Sequence, residues 1–491
     1  MAKRVDSDGG GATTEVRTST GREKKLDQLR QRRQEVLEGG PEAGAGGPAV
    51  RARLAALLDE GSFVELDMFA TSRAGDFGMD EVRVAGDGAI AGFGTIDGRE
   101  VAVYAIDVSV LDGAIGEVTA EKIAKLQDLA LRSRIPLVAI DDAAGPRFAE
   151  GLPALAGRTK LLAQKARASG VIPQLSVRTA SSSSTADATP AALADLTFQV
   201  GGDPGGGPHF RFPDEAACWG GVRQVLAYLP SNSAESPPSV PPADGAERSQ
   251  LELQELIPEG AGAAYDVRDV IGRVLDAGTF LEARAAEAEN VVVGLGRLGG
   301  HPVGVVANQP LVRDGALDGP AALKAGRFVR TCDAFNLPVV AFVDSPEPAG
   351  DASGAPELAA LPAAYGEATV PKLTVVLRRW YGEAYSLFGA KELGADLNLA
   401  WPFAEIAVAA PEAAIDVLYR TELSEGGGER RASFAGEYRA SVASPYVIAE
   451  RGHIDDVIEP RETRRELVRG LELCRRKQVE LPARKHGSLP V

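Results

Sequence analysis

Apolar residues follow two different spacings along the chain, and the changes between them predict strands and helices in turn. Apolar runs bounded by turn residues at 99–107 and 135–142 predict two β-strands. Between them, residues 119–134 carry apolar side chains at helical spacing, and Thr119 is suited to be the N-cap of that helix. Strands that alternate with helices predict α/β layering.

This pattern of elements occurs twice. Three segments of the first half recur in the second: LLDEGSFVEL (57–66) as VLDAGTFLEA (274–283), GFGTIDGREVAVYAID (92–107) as GLGRLGGHPVGVVANQ (294–309), and IPLVAIDD (135–142) as LPVVAFVD (337–344). The last two pairs share an offset of 202 residues. A period this long indicates duplicated domains rather than a solenoid.

The chain is therefore predicted to divide into four segments. Residues 1–47 form a mobile tail that carries a short basic helix at 24–37, and residues 48–230 form the first globular half. A Pro/Ser-rich linker at 231–262 separates it from a second half at 263–491.

Composition and charge exclude several classes of protein. Hydrophobic residues make up 44% of the 491 residues, which is enough to bury sizeable cores. The 53 Lys and Arg are outnumbered by 69 Asp and Glu, and a net charge of −16 disfavours general binding to nucleic acid or anionic lipid. No run of 18 apolar residues predicts a membrane span, and the first 20 residues do not resemble a secretory signal.

The chemistry-bearing residues exclude further classes. Three scattered cysteines indicate a reducing cytoplasm, and four histidines without metal-ligand spacing argue against a zinc enzyme. GLGRLG at 294–299 matches the glycine fingerprint of dinucleotide-binding folds. However, a strand-like segment follows it where that motif needs a helix, so we predict a hairpin turn.

Several strings together resemble one family, the carboxyltransferase (β) subunits of biotin-dependent acyl-CoA carboxylases of the propionyl-CoA carboxylase type. The strings are LLDEGSF, SGVIPQLSV, YDVRDVI, ANQP, KAGRFVRTCDAFNLPVV, GADLNLAWP and SPYVIAERGHIDDVIEPRETRRELV. The resemblance covers about residues 24–491. It implies an α/β fold of two tandem crotonase-like domains, with an acyl-CoA side in the first half and a biotin side in the second.

The resemblance also implies partners. Biotin would be carried by a separate biotin carboxylase/biotin carrier (α) subunit, since none of Met1, Met68 and Met79 precedes the Lys of a biotinylation motif. The active site would lie at a dimer interface, so we expect a homo-oligomer (dimer or hexamer) or a hetero-oligomer with a paralogous β subunit. No nucleic acid or membrane partner is expected.

The motifs that carry the family's catalytic groups are altered in this chain. The first-half glycine turn aligns with Ser184 and Thr185, which would hold the thioester oxygen. The second-half motif AYGGAY is replaced by WYGEAY, so that Gly382, Glu383 and Ala384 would hold the ureido oxygen. The predicted binding residues are Asp142, Gly145 and Arg147 from a DSGGAR-type turn, and Tyr385 and Ser386.

Individual residues allow two interpretations. Glu383 could be a general base or could point into solvent from a turn, and the serines at 181–184 could supply a nucleophile or form a polar loop. Arg147 could bind a phosphate or carboxylate, or pair with Glu150 on the surface. The basic helix could contact the CoA nucleotide or form a solvated face.

Three functions follow from these observations. The first is carboxyl transfer from carboxybiotin to a short-chain acyl-CoA of the acetyl or propionyl kind. The second is a catalytically inactive paralogue that acts as a scaffold or regulator of an acyl-CoA carboxylase complex. The third is a repurposed biotin-independent acyl-CoA decarboxylase or lyase. The lost glycines favour the second and third, whereas the intact scaffold strings suit all three.

Overall fold

The computed structural model describes residues 21–38, 46–79, 85–179, 185–202, 207–242, 245, 251–258, 260, 263–349, 354–424 and 428–488. Residues 1–20 and 39–45 of the predicted mobile tail at 1–47 lie outside these ranges, as do Ser184 and the other serines of 181–184. The predicted basic helix lies within a helix at Gly21–Glu38, whose side chains are almost all exposed.

Helices form the connections between strands in both halves of the chain. In the described residues they are α1 (Gly21–Glu38), α2 (Gly46–Leu57), α3 (Glu117–Ser133), α4 (Leu152–Ala168), α5 (Thr185–Ala192), α6 (Glu215–Tyr228), α7 (Leu253–Leu256), α8 (Val267–Val274), α9 (Gly319–Ala334), α10 (Ala355–Glu367), α11 (Glu383–Leu387), α12 (Pro411–Leu418), α13 (Arg420–Ser424), α14 (Gly428–Tyr438), α15 (Pro445–Glu450) and α16 (Thr463–Cys474).

The first half contains a seven-stranded sheet in which the strands follow chain order. Its strands are β1 (Val64–Leu66), β2 (Ala89–Ile96), β3 (Arg99–Ile106), β4 (Leu137–Ile140), β5 (Gln174–Arg178), β6 (Leu196–Val200) and β7 (Phe210–Phe212). β1 to β3 pair antiparallel, and each pair from β3 to β7 is parallel. This mixed α/β sheet confirms the predicted layering.

The second half repeats this arrangement in an eight-stranded sheet. Its strands are β8 (Leu281–Ala283), β9 (Val291–Leu298), β10 (His301–Asn308), β11 (Val339–Ser345), β12 (Lys372–Tyr381), β13 (Leu397–Ala400), β14 (Glu405–Ala407) and β15 (Asp456–Val457). β8, β9 and β10 are antiparallel, and the later pairs are parallel.

The backbone confirms the duplication at single residues. Positive φ angles, which L-residues rarely adopt, recur at an offset of 202: Leu111 and Arg313 (47° and 49°), Asp112 and Asp314 (55° and 57°), Arg134 and Asn336 (both 57°). Lys122 and Lys324 share the same offset, and both bury their ammonium groups against backbone carbonyls. Burial lowers the pKa of each lysine to about 8.

GLGRLG belongs to a hairpin, as predicted, but the strand continues through most of the motif. Gly294 and Gly296 lie in β9, and the turn to β10 falls at Gly299 and Gly300. A Cβ on Gly294 would lie 2.6 Å from the carbonyl oxygen of Leu281. The glycine therefore allows a close approach between neighbouring backbones rather than a phosphate contact.

The predicted helix at 119–134 exists, but Thr119 is not its N-cap. α3 begins at Glu117 after Gly116, and Thr119 occupies the third helical position. The carboxylate of Asp87 accepts the backbone N–H of Thr119 at 2.9 Å. A side chain from a distant segment thus accepts one of the N–H groups at the start of the helix that have no acceptor within it.

Part of the predicted linker packs against the second half. The N–H of Val240 donates to the carbonyl of Gly300 at 3.1 Å, and Leu253 in α7 is completely buried. The boundary at 231–262 stays a prediction, like the other three segment boundaries.

No helix of the described residues is long and apolar enough to cross a membrane. No group of three or more His, Cys, Asp or Glu side chains lies together there in a way that could hold a metal ion.

Candidate active site

A cavity of about 960 Å³ opens beside α11 in the second half of the chain. It is lined by residues of α10, α11, β14, the loop after β11 and the loop after α15, including four of the predicted residues: Gly382, Glu383, Tyr385 and Ser386. Every described residue that lines it comes from the second half. Asp142, Gly145 and Arg147, which were predicted from the first half, are not among them.

Gly382 shapes the cavity wall but cannot serve as a donor to a ligand. Its φ of 55° is left-handed, and a Cβ there would lie 2.9 Å from Cγ of Glu347. Its N–H donates to the carbonyl of Ala407 in β14 at 2.9 Å. Of the three residues predicted to hold the ureido oxygen, Gly382 thus has a positioning role.

Glu383 and Ala384 are the first two residues of α11. The first N–H groups of a helix have no acceptor within it, and no acceptor for these two is present among the described residues. The indole N–H of the fully buried Trp380 donates to the carbonyl of Ala384 at 3.2 Å. The hydrogen bond from Trp380 therefore fixes the start of α11, while the N–H groups of Glu383 and Ala384 have no acceptor among the described residues.

The side chain of Glu383 is exposed and lines the cavity. Glu347 stands close to it, because both side chains flank Gly382. Two carboxylates therefore face the space in which the second-half ligand was predicted to lie. In contrast, Ser386 offers an exposed hydroxyl to the same space.

Tyr385 connects the cavity to a chain of hydrogen bonds. Its hydroxyl donates to Oε2 of Glu392 at 2.7 Å, and Oε1 of Glu392 lies 3.0 Å from Nδ1 of His453. Burial, reinforced by Glu392, raises the pKa of the Tyr385 phenol well above its ordinary value. Burial opposes ionisation of Glu392, but the hydrogen bonds from Tyr385 and His453 outweigh it and lower the pKa of that carboxyl.

In the first half, Asp142 holds the end of a neighbouring strand. Its carboxylate accepts the backbone N–H of Thr179 at 2.8 Å and also the Thr179 hydroxyl, and Nη1 of Arg53 lies 3.7 Å away. Thr179 follows β5, and the chain continues from it toward Thr185. Asp142 therefore positions the segment that leads to the predicted thioester-side turn.

The second half contains a counterpart that sequence reasoning missed. Asp344 lies 202 residues after Asp142, is fully buried, and accepts from Nε of Arg378 at 2.9 Å and Nε of Arg379 at 2.7 Å. Both arginines are in β12, which leads into Gly382. In each half, an aspartate at the carboxyl end of one parallel strand, Asp142 just after β4 and Asp344 near the end of β11, thus fixes the end of the next strand. The internal repeat was the signal that could have found it.

Arg147 is turned away from any ligand. It is 3% exposed, and its Nη1 pairs with Asp87 at 2.8 Å and with Glu150 at 2.6 Å. The pairing with Glu150 exists, but it is buried and not on the surface as considered. Gly145 has a φ of 94°, and its carbonyl accepts the N–H of Ile115. The structure therefore gives both residues a role in holding the loop after β4.

The remaining predicted residues can be placed only in part. Thr185 is the first residue of α5, and Ser184 lies outside the described residues. Sequence reasoning missed Glu347, Glu392 and His453. No motif marked them, although His453 stands within the string SPYVIAERGHIDDVIEP that supported the family resemblance.

Comparisons with known proteins agree with this geometry. The family model of the carboxyl transferase domain matches residues 41–204 and 202–489 of this sequence. The chain is 41% identical to the propionyl-CoA carboxylase carboxyltransferase subunit of Haloferax mediterranei, over 96% of this chain and 99% of that one. It is 36% identical to the methylmalonyl-CoA decarboxylase subunit alpha of Veillonella parvula, over 96% and 99%. The structure of the transcarboxylase 12S hexamer with methylmalonyl-coenzyme A bound superposes with a TM-score of 0.90 at 34% identity, covering 96% of this chain and 99% of that one.

Proposed function

Since the chain belongs to the carboxyl transferase domain family, we propose that it is the carboxyltransferase (β) subunit of a biotin-dependent acyl-CoA carboxylase. It moves a carboxyl group between biotin on a separate α subunit and a short-chain acyl-CoA of the acetyl or propionyl kind. Its two tandem crotonase-like halves provide the biotin side and the acyl-CoA side. The observation that carries the proposal is the second-half cavity, which is lined by Glu383 at the start of α11, where the N–H groups of Glu383 and Ala384 have no acceptor among the described residues.

The cavity suits the group that the family implies. Apolar side chains of Leu358, Leu387, Ile406 and Ile448 line it, which fits a fused ring system and an aliphatic chain. Biotin supplies the carboxyl group, and its ureido oxygen gains negative charge during transfer. The N–H groups of Glu383 and Ala384 then act as preorganised donors to that oxygen, and such donors need no reorganisation when the charge develops.

On the acyl-CoA side, the thioester oxygen gains negative charge when the α-carbon is deprotonated. We assign Ser184 and Thr185 as the residues whose backbone N–H groups stabilise that charge. Asp142 supports this assignment, because its hydrogen bonds to Thr179 fix the segment just before them. Gly145 and Arg147 maintain the neighbouring loop and do not bind the substrate.

Assembly is part of the proposal, because no first-half residue is among the described residues that line the cavity. A second copy would have to supply the acyl-CoA side, so we expect a dimer or a trimer of dimers. Light scattering at micromolar protein concentration should therefore give two or six times the mass of one chain. A particle with the mass of a single chain would contradict the shared site.

The activity is tested directly with purified components. The protein is mixed with a biotinylated α subunit, ATP, bicarbonate and acetyl-, propionyl- or butyryl-CoA, and incorporation of labelled carboxylate into the acyl-CoA is measured. We expect turnover with the short esters and none when the α subunit is omitted. Stable association with the α subunit without turnover would instead identify a scaffold or regulatory paralogue.

Decarboxylation is a second candidate, favoured by the similarity to the Veillonella decarboxylase subunit and by the two carboxylates in the cavity. This function predicts that methylmalonyl-CoA loses its carboxyl group. If that loss depends on added biotin, the chemistry is the family's; if it does not, the protein is a biotin-independent lyase.

We place either activity in the reducing cytoplasm, since Cys218, Cys332 and Cys474 are all free thiols.

A further inference from the structure

The side chains that line the second-half cavity carry more acidic groups than basic ones. Glu347 and Glu383 present carboxylates, and neither lysine nor arginine is among the lining residues. His453 is the one lining side chain of the described residues that can carry a positive charge. An imidazole normally changes its charge between pH 5 and 8.

His453 is held in place by its surroundings. Its backbone N–H donates to the carbonyl of Ile448 at 3.2 Å, and Gly452 before it has a φ of 77°. Its Nδ1 lies 3.0 Å from Oε1 of Glu392. Because the carboxylate accepts a hydrogen bond from Nδ1, the other ring nitrogen, Nε2, which has no partner among the described residues, can face a ligand.

The other ionisable groups near His453 are already engaged. Nζ of Lys391 pairs with Asp455 at 2.6 Å and also donates to the carbonyl of Gly452. The pKa of Tyr385 is raised and that of Glu392 is lowered, so the phenol stays neutral and the carboxylate stays charged near neutral pH. Glu347 and Glu383 complete the charged groups that face the cavity.

We propose that His453 contacts the biotin-side ligand through Nε2, and that its imidazolium offsets the carboxylates of Glu347 and Glu383 when a carboxyl group is present in the cavity. Glu392 is the positioning residue that orients the ring. This inference rests on the proposed function, because it assigns the ligand of the same cavity. It explains how a cavity lined by two carboxylates can accept an anionic group.

Ligand contact is tested without turnover. The full-length protein is treated with diethyl pyrocarbonate with and without millimolar biocytin, and carbethoxylation of each histidine is quantified by mass spectrometry. His453 is half exposed, and His486 is exposed far along the chain and serves as the internal control. We expect biocytin to protect His453 at least threefold and His486 not at all. Equal modification of His453 with and without biocytin would overturn the contact.

The charge is tested by kinetics on the α/β holoenzyme. His453→Gln keeps a hydrogen-bonding side chain but removes the charge, and we expect KM for the carboxylated α subunit to rise about tenfold. The wild-type kcat/KM for that subunit should fall as pH rises from about 6 to 8, and the variant should lose this dependence. Glu392→Gln should also raise this KM, but by a smaller factor than His453→Gln. Glu392→Ala should raise KM more than Glu392→Gln does.

His301→Gln is the matched control, since His301 lies in a different cavity, at the hairpin turn of the second sheet. It should leave KM and the pH profile unchanged. A pH profile that His453→Gln does not alter would overturn the charge-balancing role. If the wild-type protein shows no turnover but biocytin still protects His453, the proposed function fails while the contact stands.

Discussion

Glu383→Pro is expected to reduce carboxyl transfer by a factor of about 100 to 1000, the effect of losing one donor of an oxyanion hole. Proline removes the N–H of Glu383, but it is well tolerated at the first position of a helix, where α11 begins. The helix should therefore persist without the donor. The measurement is kcat for carboxylation of propionyl-CoA by the α/β holoenzyme, with circular dichroism as the check on folding.

Glu383→Gly is the matched variant, because it also removes the carboxylate but keeps the N–H. A carboxylate beside an oxygen that gains negative charge costs ~1 kcal/mol at 4 Å in a water-exposed setting, and the side chain of Glu383 is exposed. We therefore expect Glu383→Gly to raise kcat up to about fivefold. Equal rates for the two variants would refute the donor role of this N–H. Loss of activity in Glu383→Gly would show that Glu383 acts as a general acid or base.

Asp344→Ala is expected to lower the free energy of unfolding by about 3–5 kcal/mol, because it removes the carboxylate that pairs with the buried guanidinium of Arg378. Arg379 loses the same partner but keeps its pairing with Asp314 at 2.6 Å. Activity should fall as well, since β12 leads directly into Gly382. Urea unfolding at one fixed protein concentration measures the first effect.

The internal repeat provides the control for this prediction. Asp142→Ala removes the equivalent carboxylate of the first half, which accepts from Thr179 and lies 3.7 Å from the guanidinium of Arg53. Its cost should be about 1–3 kcal/mol. If both aspartates cost the same, the buried arginines do not depend on Asp344 as the geometry indicates.

Much of the architecture follows from local sequence patterns. The duplicated unit, the strands at 99–107 and 135–142 and the helix between them are all present, within two residues of their predicted limits. The hairpin at GLGRLG is present too, although β9 continues to Leu298 and the turn falls at the end of the motif. These features were predictable because hydrophobic periodicity and turn residues act over short stretches of chain.

The site depended on partners that are distant in sequence. Gly382 is prevented from donating to a ligand by Ala407, and Arg147 is held by Asp87, 60 residues earlier. His453 meets Glu392 across 61 residues. A pattern of residue types identified the loops in which chemistry occurs, but it could not show which N–H groups already have acceptors or which charges are paired. Those outcomes are decided by packing, because only the folded chain brings donor and acceptor within about 3 Å of each other.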